Sequence, residues 1–236
     1  MDKKLQEKIL KDTQKSYDLI APDYARTRLN LSTYLKGAIA QLGPSGKILD
    51  SGCGSGAVFE ALISYGIDYY GLDISKKLIE LATEKYPQGR FYEGDVLRLP
   101  FEDNYFDNLL SISVAHHIPG NDLRSRFIKE QMRVLKPGGK MLFRVWDLKI
   151  IPEAASILAK NTFWKFLGQN KMDFGDIMFP WKNSEQKVVA HRYFHCFTEN
   201  ELANLLKKSG LEIVKVWKEG KPPKAMSIFA IAKKIK

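Results

Sequence analysis

The stretch ILDSGCGSGAVFE, Ile48 to Glu60, sets three glycines into five positions directly after an apolar run. An apolar run, then a loose backbone, then a helical pattern reads as strand, loop and helix. A turn alone needs one glycine. Three at the spacing G-x-G-x-G bend the chain sharply and leave no Cβ in the way of a ligand. Short apolar segments recur along the chain as KILDSG (47–52), DYYGLD (68–73), GRFYEGD (89–95), FDNLLSIS (106–113) and KMLFRVW (140–146). Helical stretches separate most of them: Ala57–Tyr65, Ser75–Tyr86 and Asp122–Leu135, with Ser75 and Asn121-Asp122 as N-caps. In LKPGGK (135–140), Pro137 is expected to stop the helix and Gly138-Gly139 to supply the bend. This alternation predicts an α/β fold, a doubly wound, Rossmann-like and mostly parallel sheet with helices on both faces.

Residues 3–42 read as a helical preface, broken near Ala21-Pro22. The tail reads as helix (Thr198–Ser209), strand (Leu211–Trp217), turn (218–224) and strand (Ala225–Ala232), which predicts an antiparallel strand at one sheet edge. Residues 150–190 fit no simple period and carry six large aromatic side chains, from Phe163 to Trp181; they are expected to form an insertion or cap with some helix. The 236 residues suit a single domain spanning 1–236. No apolar run reaches the roughly 18 residues of a membrane span. The charged N-terminus lacks the apolar core of a signal peptide. The two cysteines make neither a disulfide framework nor a zinc cluster, which fits a reducing, cytoplasmic location. A net charge of +10 favours a polyanionic partner or an anionic substrate. From Lys207 to Lys236, nine lysines face only Glu212 and Glu219, a basic face rather than a tail.

A second acid, Asp73, ends the next strand, where doubly wound folds place a carboxylate for ribose hydroxyls. A nicotinamide site would require G-x-G-x-x-G, and a phosphate loop would require Gly-Lys-Ser/Thr; this loop has neither. The arrangement resembles the first motif of class I S-adenosylmethionine-dependent methyltransferases. GLDIS (71–75) resembles that family's ribose-binding strand end, GDVLRLPF (94–101) its adenine-side motif, and RVLKPGGKMLF (133–143) its post-helix strand. The resemblance implies S-adenosylmethionine as cofactor. Its methionine end would lie along Asp50, Gly52, Cys53, Gly54 and Gly56, with Tyr17 and Tyr24 closing the site. Asp73 and Ile74 would serve the ribose, and Asp95 and Val96 the adenine side. Ser111 is the remaining cofactor residue implied. Cys53 has no base beside it in the sequence and is not read as a nucleophile.

Outside these motifs the chain resembles the tRNA wobble-uridine carboxymethyl methyltransferases, including the methyltransferase domain of the AlkB-homologue tRNA enzymes. The matching stretches are YDLIAPDYARTR (17–28), LPFEDNYFDNLLSISVAHHI (99–118), RVW (144–146), FPW (179–181) and HRYFHCFTENEL (191–202). The chain departs from the pattern at GCGSGAV, which lacks a lysine, at Asp147 and Lys149, and across residues 150–178. The resemblance implies esterification of a carboxymethyl group in the tRNA anticodon stem-loop, and a small zinc-binding activator subunit as a partner. A carboxylate acceptor is already ionised at neutral pH and needs no general base, only a group to hold it. An amine, carbon or hydroxyl acceptor would need one.

His116 is expected to face the substrate and His117 the protein, because neighbours in extended backbone point opposite ways; a structural histidine is the alternative. Arg144 would hold the substrate carboxylate, or else pair with Asp147. Of Arg26 and Arg28, Arg28 completes the expected catalytic set. Trp181, Arg192 and His195 are substrate-binding candidates, although Trp181 could equally anchor the insertion. His191 and His195 lack a third ligand, so no metal is expected. Tyr193, Phe194 and Phe197 read as core. Two rival functions remain: a small-molecule methyltransferase acting on a quinone precursor or metabolite, and a non-catalytic nucleic-acid-binding protein that keeps the fold.

Overall fold

The computed structural model describes the chain except Leu29, Pro223, Lys224 and Lys236, and the side chain of Ala225. Part of the expected 218–224 turn and the last lysine of the basic tail therefore lie outside the described residues. Seven strands form one sheet. They are β1 (Lys47–Ser51), β2 (Asp68–Asp73), β3 (Arg90–Glu93), β4 (Phe106–Ile112), β5 (Leu135–Trp146), β8 (Leu211–Lys221) and β9 (Ala225–Lys234), in the order β3-β2-β1-β4-β5-β9-β8. Strands β1 to β5 pair in parallel, and β9 runs antiparallel to both β5 and β8. The order reverses between β1 and β4. Sheets of this kind open their ligand crevice there, beyond the carboxyl ends of the strands.

Side chains alternate across the sheet, as a strand period of two requires. Leu49, Leu109 and Met141 pack on one face, beneath α5 (Asn121–Val134) and α7 (Glu199–Lys208). Ile48, Leu110 and Leu142 pack on the other with Leu35, Ile39 and Leu42 of α2 (Thr33–Leu42), and Val58, Phe59 and Leu62 of α3 (Ala57–Leu62). Helix α4 (Lys76–Lys85) starts where the sequence predicts, with Ser75 Oγ accepting from Leu78 N–H at 3.2 Å.

Three local expectations differ from the structure. Helix α1 (Lys3–Thr27) runs unbroken through Pro22. Proline inside a helix costs about 3 kcal/mol, but the adjacent Ile20 and Ala21 are buried, and tertiary packing outweighs the local preference. Helix α5 is capped at Gly120 rather than by Asn121 or Asp122; Asn121 instead accepts from Arg124 Nη2 at 2.8 Å. Helix α5 also ends before Pro137, because Leu135 already has extended backbone and belongs to β5.

Residues 150–190 are more ordered than their lack of period suggests. They form α6 (Pro152–Phe166) and β6 (Asp176–Lys182), which pairs antiparallel with β7 (Val188–His195). A small core of Leu148, Ala154, Ile177, Phe194 and Cys196 fixes this unit to the carboxyl edge of the sheet. Among the described residues no helix is long and apolar enough to cross a membrane.

Candidate active site

The floor of the site is the glycine loop. Gly52 and Cys53 both donate to Leu72 O, at 2.7 and 3.0 Å, which locks the loop onto β2. Gly52 has φ +87° and Gly54 φ +55°, where a Cβ is strained. A Cβ on Gly52 would also collide with Val114, and one on Gly54 would lie 3.2 Å from the Tyr24 ring. The bare backbone thus accommodates the protein's own side chains as well as leaving room beside them. Cys53 is buried, and burial together with Asp73 and Asp50 pushes its thiol well above its ordinary value, so it is not a nucleophile.

Helix α1 covers the loop. Gln14 Nε2 donates to Ile74 O at 3.0 Å, and Ser75 Oγ donates to Asp18 Oδ1 at 2.7 Å. These contacts bring Tyr17, Tyr24 and Arg28 over the crevice. Burial and the neighbouring Tyr17 push the Tyr24 hydroxyl up to about 12. A cavity of about 300 Å³ remains, bounded by Asp50, Gly52, Arg28, His116, Arg144 and Arg192, among others.

Asp50 is fully buried at the base of this cavity. Its Oδ2 accepts from the Tyr69 hydroxyl at 2.8 Å, while Oδ1 has no partner. Burial raises its pKa to about 7; the Tyr69 hydrogen bond opposes the rise and the Asp73 charge adds to it. An orphaned carboxylate oxygen in a polar cavity calls for a cationic or N–H-bearing ligand. The α-ammonium of a bound methionine moiety has that chemistry, so the residues present fit S-adenosylmethionine.

The same cavity is also lined by three arginines. Arg144 Nε donates to Ser227 Oγ at 3.0 Å and Nη1 donates to Ser113 Oγ at 3.1 Å. Ser113 has φ +65°, an uncommon left-handed backbone for serine, and its N–H donates to Arg144 O at 2.7 Å. The expected alternative partner, Asp147, is taken by Lys218 at 2.8 Å. Burial, with the neighbouring Arg28, lowers the Arg144 pKa to about 10, so it stays charged at neutral pH. Arg192 is 3% exposed. It donates to the Tyr17 hydroxyl at 3.3 Å and stacks over Trp181 at 4.7 Å, and its Nε is unsatisfied. Arg28 lies over the Tyr24 and Trp146 rings at 5.5 and 5.9 Å. Among the described residues none of these three arginines forms a salt bridge, whereas Arg26 pairs with Asp23 outside the cavity.

The two histidines are not extended. They lie in a short 3-10 turn, Ala115–His117, and their rings meet edge-on at 4.5 Å. Both border the cavity. Trp146 N–H donates to His116 Nδ1 at 3.2 Å, so the proton of the neutral ring sits on Nε2, which has no partner. His117 Nδ1 donates to Tyr193 O at 2.7 Å, and its Nε2 accepts from the Tyr17 hydroxyl at 2.7 Å. Burial and the surrounding positive charges hold His116 well below its ordinary range and lower His117 to about 3. Both are neutral at pH 7, and His116 offers one N–H to the cavity.

The remaining candidates lie outside the cavity. Asp73 bridges the loop, accepting from Gly54 N and Ser75 N at 2.9 Å each; Gly56 N donates to Cys53 O at 3.0 Å. Asp95 is exposed and caps a turn through Leu97 N at 2.8 Å, with Val96 buried beside it. Ser111 is buried within β4 with an unpartnered hydroxyl. His195 is not free for substrate. Its Nδ1 meets Asp176 at 2.7 Å and its Nε2 meets Glu201 at 2.6 Å, tying the β6–β7 hairpin to α7. Tyr193, Phe194 and Phe197 are core, as the sequence indicates. Tyr17 was expected to help close the site, but its hydrogen bond to His117 was not read from the sequence, nor were Ser113 and Ser227 as hydroxyl anchors. The YDLIAPDYARTR and AHHI stretches signalled the first two residues, and nothing signalled the anchoring role of the serines.

The methyltransferase-domain family matches residues 49–143. A protein of Encephalitozoon cuniculi, provisionally named a methyltransferase, is 34% identical over 188 residues, covering 79% of this chain and 78% of its own length. The tRNA (carboxymethyluridine(34)-5-O)-methyltransferase of Schizosaccharomyces pombe is 29% identical, covering 84% of this chain and 87% of its own length. A crystal structure of an S-adenosylmethionine-dependent methyltransferase of Methanosarcina mazei superposes with a TM-score of 0.70 at 24% identity, covering 88% of this chain and 99% of that one. The glycine loop, the strand order and these matches define the chain as a class I S-adenosylmethionine-dependent methyltransferase. Within that class it is related to the tRNA carboxymethyluridine methyltransferases, although it spans only 35% and 36% of the Arabidopsis thaliana and Xenopus tropicalis proteins so named. A hydroquinone methyltransferase of Synechocystis is also similar, 31% identical over 134 residues and covering 54% of this chain and 41% of its own length.

Proposed function

We propose that this enzyme esterifies a carboxymethyl group on the wobble uridine of tRNA. One observation carries the reading. Arg144 and Arg192 border the same cavity as the glycine loop, held by neutral groups, and among the described residues neither forms a salt bridge. Charges removed from water without a counter-ion are costly, so the cavity is suited to receive an anionic group from outside. A substrate carboxylate supplies it, with bidentate geometry matched to a guanidinium.

Bound S-adenosylmethionine supplies a sulfonium methyl group for in-line displacement. Asp50 Oδ1 would hold its ammonium, and Gly52 to Gly56 would flank its methionine and ribose, with Asp73 at the edge of that track. Arg144 would fix the acceptor carboxylate, and His116 Nε2–H would donate to one of its oxygens. The other oxygen would be left free to accept the methyl group. No proton moves, which suits two neutral histidines, of which His117 already donates to Tyr193 O. Helix α1 excludes water through Tyr17 and Tyr24. Arg192 and Trp181 would border the uracil, and Arg28 would lie between the two ligands. The basic face suits the tRNA backbone. A small zinc-binding activator, which the family resemblance implies, would be a second partner.

The test is incubation with cofactor and tRNA carrying 5-carboxymethyluridine, followed by nucleoside mass spectrometry. The proposal expects conversion of that nucleoside to its methyl ester. Methyl transfer only to a small metabolite, with tRNA untouched, would replace it with the small-molecule reading. Repeating the assay with a small zinc-binding activator added tests the need for that partner.

A further inference from the structure

We propose that the outer face of α6 and the loop after it form a base-stacking platform for single-stranded RNA a few nucleotides away from the wobble position. The inference rests on the RNA reading above and names the surface that reading requires. Helix α6 buries only Ala154 fully. Phe163 and Phe166 are 58% and 77% exposed, and Trp164, Leu167 and Phe174 are exposed with them. Phe163 and Trp164 pack edge-on at 5.5 Å, and Phe166 and Phe174 meet at 5.3 Å, so two aromatic pairs stand in solvent.

The charges around them are uncompensated and of one sign. The acids of the segment are engaged: Glu153 with Lys182 at 2.9 Å, Asp173 with the Met1 amino group at 2.6 Å, and Asp176 with His195 at 2.7 Å. Lys160, Lys165 and Lys171 have no acidic partner among the described residues. Interleaved cations and exposed rings suit nucleic acid, where bases stack on aromatic faces and lysines meet phosphates. A protein-docking core would be depleted of lysine. In a helix lying on a membrane, charge segregates to the face opposite the apolar one. Here Lys160 shares an i, i+3, i+4, i+7 stripe with Phe163, Trp164 and Leu167. The platform is also continuous with the site: Ile151, just before α6, borders the cavity, and the helix runs about 22 Å from there.

Fluorescence anisotropy of a labelled anticodon stem-loop RNA against the full chain tests this. In the Phe166→Ala/Phe174→Ala variant, RNA binding should weaken about fivefold or more, with cofactor affinity unchanged. Replacing Lys160, Lys165 and Lys171 by glutamine should lower the slope of log affinity against log salt by about 2. Wild-type RNA affinity in both variants would overturn the platform while leaving the tRNA reading standing. No RNA binding by the wild type would overturn both. Uptake of the wild type, but not the aromatic variant, onto phosphatidylserine vesicles would reassign the patch to a membrane. Self-association abolished by Phe166→Ala would reassign it to a second copy.

Discussion

Arg144 is held by two hydroxyls and no carboxylate, and that choice of anchors leaves its charge available. Neutral anchors fix a guanidinium in place, whereas an acid would satisfy it and remove the reason for a substrate to bind. Ser227→Asp should therefore raise KM for the acceptor by about 10-fold or more, the scale of one charge-assisted hydrogen bond, with cofactor affinity retained. Ser227→Ala should cost far less, and equal effects in a kinetic comparison would contradict the electrostatic role. Asp50 gives a second residue-scale prediction. Its carboxyl is raised to about 7 in the free protein, and a cationic ligand favours its ionised form. Cofactor affinity should be flat above pH 7 and fall about tenfold per pH unit below it, as for uptake of one proton. Calorimetry across pH 6 to 8 checks this, and Asp50→Asn should abolish the dependence. Arg144 was legible from the sequence because an arginine near the end of a buried strand demands a partner. Ser113 was not, because its left-handed backbone and its grip on Arg144 arise only once β4 and β5 are paired.

The elements most readable in advance were those whose signals are local. Strands β1 to β5 announce themselves through apolar runs and turn residues, and α4 through its Ser75 cap. The cap segment was opaque because non-local links hold it: Met1 to Asp173, and His195 to Asp176 and Glu201. The second link makes a prediction about stability. Burial opposes charge on His195, yet the hydrogen bonds to Asp176 and Glu201 outweigh it and raise its pKa above the ordinary histidine value. A group whose pKa is raised on folding contributes stability below its unfolded pKa and loses it as pH rises through the folded one. Thermal unfolding should show this contribution fully present in mild acid and fading as His195 deprotonates at higher pH. His195→Gln should remove that pH dependence, and an unchanged profile would show that the link is not ionic. The same ties explain why a histidine expected at the substrate instead braces the hairpin against α7.

At the scale of the whole molecule, α1 lies across the carboxyl edge of the sheet and meets the glycine loop, the histidine turn, Arg192 and the start of α4. Tyr24 stands over Gly54, Tyr17 bonds His117, and Asp18 bonds Ser75. Its passage through Pro22 could not be read from local rules, since only its packing outweighs the proline. Helix α1 should act as the cover of the site, and the amides of Tyr17 to Thr27 should gain protection from hydrogen exchange when S-adenosylhomocysteine binds. No change there would assign the helix a fixed structural role. The central claim is that a cofactor loop and an unneutralised cation pair share one cavity in order to methylate a carboxylate. Its most direct test is transfer of labelled methyl from S-adenosylmethionine to tRNA, followed by mild alkali, in the wild type and in Arg144→Gln. The account predicts alkali-labile ester label from the wild type, and its loss by about 10-fold or more in a variant that still binds cofactor. Alkali-stable label, or an Arg144→Gln variant working at the wild-type rate, would contradict it.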